Sequence, residues 1–220
     1  MSYSYLTLII VTLIIGMCAT GYVNSQLNKY KNVPISTGLT GAEAARQMLQ
    51  FHGITGVDVR LGQPGQDFFD PRTNSVTLSP DAYGGRTVTA TATACHEVGH
   101  ACQYATGYTA MRVRTAIVPV ANFASNAWIF ILIIGIALQI AGLIDLAIIM
   151  YAAVVLFELV TLPVELNASH RAMDYMGAIA LPQSEQKGAF SVLRACALTY
   201  VAAALTSILQ LLWLLGQRDN

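Results

Sequence analysis

The sequence predicts a mainly α-helical membrane protein, with four transmembrane helices and a small α+β domain on the cytoplasmic side. Three observations carry this prediction. Of the 220 residues, 55% are hydrophobic and only 11% charged, with a mean hydropathy of +0.53; a soluble domain carries about 25% charged residues. Four apolar stretches reach the length of about 20 residues that a hydrocarbon core about 30 Å thick requires. The lysines and arginines crowd into two of the intervening segments. The formal net charge is zero, so nothing electrostatic favours a nucleic acid partner.

The first stretch, Leu6 to Val23, is uncharged. It follows Met1-Ser2-Tyr3-Ser4-Tyr5, which lacks the basic start of a signal peptide, and Cys18 lacks the small preceding residue of a lipidated cysteine. We therefore read residues 1–23 as an uncleaved anchor. Ile117 to Gln139, interrupted by Pro119, and Ala141 to Pro163, carrying Asp145 and Glu158, form a transmembrane hairpin over residues 117–163. Phe190 to Leu215, with Arg194 near its start, supplies the last span over 190–216, and 217–220 is a tail.

Residues 24–116 hold Lys29, Lys31, Arg46, Arg60, Arg72, Arg86, Arg112 and Arg114, and Arg171 and Lys187 lie in 164–189. The positive-inside rule puts both segments in the cytoplasm and both termini outside. The turn from Ala141 to Asp145 has no basic residue, as expected outside. Cys18, Cys95, Cys102 and Cys196 show no disulfide or metal spacing and read as free thiols packed in helices.

Within 24–116, Thr40 with Glu43 three residues later caps a helix that Gly53 stops. Val57 to Leu61 and Val76 to Leu78 alternate like strands, and the latter is a candidate to pair with an extended peptide. Gly62 to Gly65 and Asp70 to Asn74 read as turns, and Ser79-Pro80 and Gly84-Gly85 as breaks. A helix is expected from Thr87 to Tyr104, ending at Gly107. His52 reads as a helix-end surface histidine, and Trp128 and Trp213 as packing or anchoring residues.

The chemistry lies in His96-Glu97-Val98-Gly99-His100, an HExxH pattern. Residues four apart share a helix face, so both imidazoles can ligate one Zn2+ ion. Glu97 then lies beside the metal, placed to take a proton from an activated water and pass it to a leaving amine. Such a short pattern also arises by chance. Here it holds two of the chain's four histidines. Ala92, Ala94, Ala101 and Ala105 flank it with small side chains, and Gly99, which costs a helix about 1 kcal/mol relative to alanine, implies a close neighbour.

A catalytic zinc takes a third protein ligand. The candidates are Glu158, Glu165, His170 and Asp174. Glu165 follows Pro163 at the membrane boundary, whereas Glu158 lies about two turns deeper, where an ionised carboxylate is costly. Depth favours Glu165.

The blocks Phe69-Asp70-Pro71-Arg72, Val76 to Asp81, His96 to Ala101 and Leu162 to Ser169 resemble the YugP-type neutral zinc metallopeptidases, which are bacterial membrane proteins. The resemblance covers nearly the whole chain. It implies a gluzincin-like zinc peptidase of the bacterial inner membrane, with the helix motif plus a distal glutamate. The basic residues put its site at the cytoplasmic face, and the short chain distance from the motif to the spans makes polypeptides of membrane or membrane-proximal proteins the expected substrates. The segment Glu165 to Ala172 is also similar to the distal glutamate segment of HtpX and Ste24-type peptidases. Ser169 replaces the aspartate that there orients a zinc-binding histidine, and its hydroxyl can serve as a weaker partner. Arg171 matches a basic position and is a candidate catalytic residue for binding substrate or a developing oxyanion; an ordinary juxtamembrane cation is the alternative. Two other readings compete: an inactive zinc-binding scaffold, and a transporter using Asp145 and Glu158.

Overall fold

The computed structural model describes residues 3–218. In chain order its elements are α1 (Tyr3–Lys31), α2 (Gly41–Phe51), β1 (Asp58–Leu61), β2 (Phe68–Asp70), β3 (Ser75–Leu78), α3 (Pro80–Gly84), α4 (Val88–Ala105), α5 (Thr109–Ala137), α6 (Ala141–Ala178) and α7 (Gln183–Arg218).

Helices α1, α5, α6 and α7 are long and apolar enough to cross a membrane. Their large side chains remain uncovered: Leu13 and Met17 on α1, Phe123 and Phe130 on α5, Ile149 on α6, Leu212 on α7. That much exposed apolar surface suits lipid and would associate in water. At one end of the bundle Trp213 stacks on Tyr5 with ring centroids 4.5 Å apart, and Arg218 Nε lies 2.9 Å from Asp145. The starts of α1 and α6 therefore meet the end of α7. Asp145, one of the two carboxylates on which a transporter reading rests, is held in this ion pair.

Pro163, where the apolar stretch ends, does not interrupt the helix. α6 runs through it for 38 residues, to Ala178. At 1.5 Å per residue this is about 57 Å, well beyond the hydrocarbon core. Proline removes one N–H and so frees one carbonyl of the preceding turn, which a packed membrane helix tolerates. The segment after Pro163 is thus a rigid continuation of the span, with Glu165 and Ala168 buried on it.

The remaining elements form a small unit around α4. Thr40 and Glu43 close a capping box on α2, with Glu43 N donating to Thr40 Oγ1 at 3.2 Å and Thr40 N donating to Glu43 Oε2 at 2.7 Å. Gly53 follows with φ +65°, as a helix stop requires. The sheet order is β1-β3-β2, with β1 parallel and β2 antiparallel to β3. The Asp70 to Asn74 turn joins β2 to β3, and Asp70 Oδ1 accepts the Arg72 backbone N–H at 2.9 Å. β3 is the central strand, so the expectation that Val76 to Leu78 pairs with a peptide is corrected: β1 and β2 already take both of its edges. β2 and α3 were not anticipated. β2 is three residues long, and Pro80, read as a break, stands at the start of α3.

α4 begins at Thr87, whose hydroxyl accepts the Ala90 N–H at 3.3 Å. It is covered by α2, the sheet, α6 and α7, through Met48, Leu78, Cys95, Val98, Tyr175, Met176 and Val192. Ala92, Ala94 and Ala101 are buried as expected, and Ala105 is exposed. Cys95 and Cys102 are free buried thiols, which burial pushes up to about 12 and about 11 and so keeps protonated. Gly99 has the close neighbour its presence implied: a Cβ there would sit 2.5 Å from the Ala168 carbonyl oxygen of α6. Gly99→Ala is therefore expected to destabilise the fold by about 1–3 kcal/mol through overpacking, despite alanine's better helix propensity. Thermal unfolding in detergent checks this.

Candidate metal centre

Two helices make the site. α4 presents His96 and His100 one turn apart, and α6, held against it at Gly99–Ala168, presents Glu165. His96 Nε2 lies 3.2 Å and His100 Nε2 3.6 Å from Glu165 Oε2, and the ligand atoms of all three residues fall within 4.8 Å of one another. A tetrahedral ion with donors at about 2.0–2.1 Å sets them about 3.4 Å apart. Two imidazole nitrogens and one carboxylate, with a fourth position left open, suit zinc. Among the described residues this is the one His/Cys/Asp/Glu group that could hold a metal. Glu158 lies outside it on α6. His170 and Asp174 also lie outside, paired with each other at 3.4 Å on the surface.

Each imidazole is oriented by its other nitrogen. His96 Nδ1 lies 3.1 Å from Ser169 Oγ, the partner expected from the sequence. His100 Nδ1 lies 3.0 Å from Gln103 Oε1. An amide oxygen only accepts, so His100 carries its proton on Nδ1 and leaves Nε2 free for a metal. Gln103 is fully buried, and its Nε2 donates to Val164 O at 2.7 Å and to Asn167 Oδ1 at 3.1 Å. Arg171 closes the series, with Nε donating to Asn167 Oδ1 at 2.9 Å and Nη2 donating to Thr106 Oγ1 at 3.3 Å. The arginine thus stands at the outer end of this relay, engaged with Asn167 and Thr106.

Sequence reasoning missed Gln103 and Asn167. Gln103 had a signal in its spacing, three residues after His100 on the same helix face; Asn167, two after Glu165, had none, because its partners Gln103 and Arg171 are set by how α6 packs on α4. Gln103→Leu fills a similar volume but removes the acceptor. It is expected to weaken zinc binding about 10- to 100-fold, as loss of such an outer partner does, measured by competition with a chromophoric chelator.

Glu97 is 8% exposed and is not part of the triangle. Burial pushes its carboxyl above the usual carboxylate range; His96 and His100 oppose this, and Glu165 and Asp67 add to it. Burial lowers the His100 imidazole, but Glu165 and Glu97 more than reverse this and leave it raised above 6.5.

Fold and site together define a class: a helical protein with four candidate membrane spans and a largely buried His–His–carboxylate group able to hold one metal ion. The chain belongs to the family described as "Putative neutral zinc metallopeptidase", whose model matches residues 5–218. It is similar to the "Putative membrane protease YugP" of Bacillus subtilis (strain 168), with 41% identity over 210 residues covering 94% of this chain and 93% of that protein. These findings bear out the family resemblance read from the sequence. No solved structure matches the chain.

Proposed function

We propose that this protein is a zinc-dependent endopeptidase of the bacterial inner membrane, hydrolysing polypeptides at the cytoplasmic face of the bilayer. The observation that carries the reading is the convergence of His96, His100 and Glu165 with a buried Glu97 beside them. Zinc, when bound, supplies the Lewis acidity that makes a water nucleophile available near neutral pH. His96, His100 and Glu165 hold the ion. Glu97 takes the proton from the attacking water and delivers it to the leaving amine, a task that suits a carboxyl whose burial raises its proton affinity. Ser169 and Gln103 fix the two imidazoles. Arg171, whose sequence context suggested an oxyanion contact, supports the site through Asn167 and Gln103.

The alternative is a zinc-binding scaffold without activity. A structural site has no use for a desolvated carboxylate next to its ligands, and Glu97 favours the enzyme. Comparing the membrane proteomes of cells carrying wild type and Glu97→Gln separates the two: the enzyme reading requires fragments that only the wild type produces, and identical proteomes would favour the scaffold.

Sidedness rests on the lysines and arginines of 24–116 and 164–194, which leave only Arg218 elsewhere, and on the meeting of α1's start with α7's end, where Arg218 lies. Cysteine labelling is expected to find position 86 protected in intact cells and both termini accessible. Accessibility of position 86 from outside would reverse the orientation.

A further inference from the structure

A cleft lies against the first half of α4, and none of the metal-site residues lines it. A cavity of about 430 Å³ lies between the last two turns of α1, the first half of α4, Asp67 and the segment from Ser79 to Gly85 that contains α3. Its volume is in the range of sites that hold small ligands or a few residues of a peptide. Thr93, in its wall, stands one helical turn before Glu97 on the same face of α4, which puts this wall about one turn from the base. The walls carry Asn24, Asn28, Thr89 and Thr93, side chains that donate and accept at the scale of a peptide backbone.

The charges in this cleft are unequal. Lys31 is spent on Asp81, at 2.7 Å. Asp67 is fixed by one oxygen, Oδ1, which accepts the Ser79 N–H at 2.8 Å. Among the described residues it has no ion-pair partner within 4.0 Å, and its field reaches Glu97. The cleft therefore offers one anchored carboxylate with no ion-pair partner among the described residues. A charge-assisted hydrogen bond to a cation satisfies such a group best.

We propose that this cleft seats the substrate backbone and that Asp67 selects a lysine or arginine side chain. The substrate class is then the basic flank of a membrane protein just outside its span. Such flanks concentrate lysine and arginine on the cytoplasmic side, and α1 forms the cleft wall where it leaves its apolar stretch, at Asn24 to Lys31. This assignment rests on the peptidase reading and deepens it.

The test uses zinc-loaded, full-length Glu97→Gln protein in detergent, which binds without turnover. Fluorescein-labelled peptides identical except for one central Lys, Gln or Glu are titrated by anisotropy. The Lys peptide is expected to bind about tenfold tighter than the Gln peptide, a typical worth of one charge-assisted contact. Adding Asp67→Asn keeps the acceptor for Ser79 and should equalise the two, and adding Asp67→Lys should favour the Glu peptide. Zinc content verifies that each variant is folded. A Lys preference that survives Asp67→Asn, or its absence from the parent, overturns the assignment of Asp67. If the preference holds but wild type cleaves none of the peptides, the cleft assignment stands and the peptidase reading fails. If wild type cleaves all three peptides equally, the cleft assignment fails and the peptidase reading stands.

Discussion

Glu97→Gln is expected to reduce peptide hydrolysis by about 10²- to 10⁴-fold, the range a positioned general base contributes, while zinc content stays at the wild-type level. Glutamine keeps the shape and one acceptor oxygen but cannot take a proton. It is also uncharged, and Glu97 is a carboxyl that burial already disfavours in its charged form. Thermal stability of the variant is therefore expected to match or exceed that of wild type. Steady-state cleavage of a quenched-fluorescence peptide library measures the loss. Cleavage at the wild-type rate by a zinc-loaded Glu97→Gln protein would remove Glu97 from the mechanism.

Glu165→Gln should behave differently. Glu165 is 3% exposed and faces both imidazoles. Its carboxylate is the one anionic member of the triangle, so the amide removes charge and donor strength together. Zinc affinity is expected to fall by more than about a hundredfold, beyond the effect of an outer hydrogen-bond partner, and activity should fall with it. Glu158→Gln, about two turns deeper on α6, is expected to keep its zinc. The opposite pattern, zinc lost with Glu158→Gln and kept with Glu165→Gln, would show that the third ligand is Glu158.

The parts of the fold visible in the sequence were those with a local physical signature. The four spans announce themselves by length and apolarity. Thr40 with Glu43 marks a helix start, and Gly53 and Gly107 mark stops by adopting positive φ. Gly99 pointed to a close neighbour before Ala168 could be named. Depth favoured Glu165 over Glu158, and Glu165 is the carboxylate that the fold brings together with His96 and His100. What escaped depended on tertiary context. Pro163 ends the apolar stretch, yet α6 runs through it to Ala178, as a packed membrane helix tolerates. β2 is too short to show alternation, and only its pairing with β3 makes it a strand. Gln103 is an ordinary polar helix residue until α6 brings Val164 and Asn167 to its amide. Arg171 carried a plausible role in isolation, but its partners are set by Thr106 at the end of α4 and by Asn167.

One measurement tests the central claim most directly: the zinc content and peptide hydrolysis of the same purified wild-type sample, before and after chelation and again after stepwise return of zinc. We expect one zinc per chain, loss of hydrolysis with its removal, and full recovery at one equivalent. Hydrolysis that persists in the zinc-free protein, or one bound equivalent that restores none of it, would contradict a zinc peptidase centred on His96, His100 and Glu165.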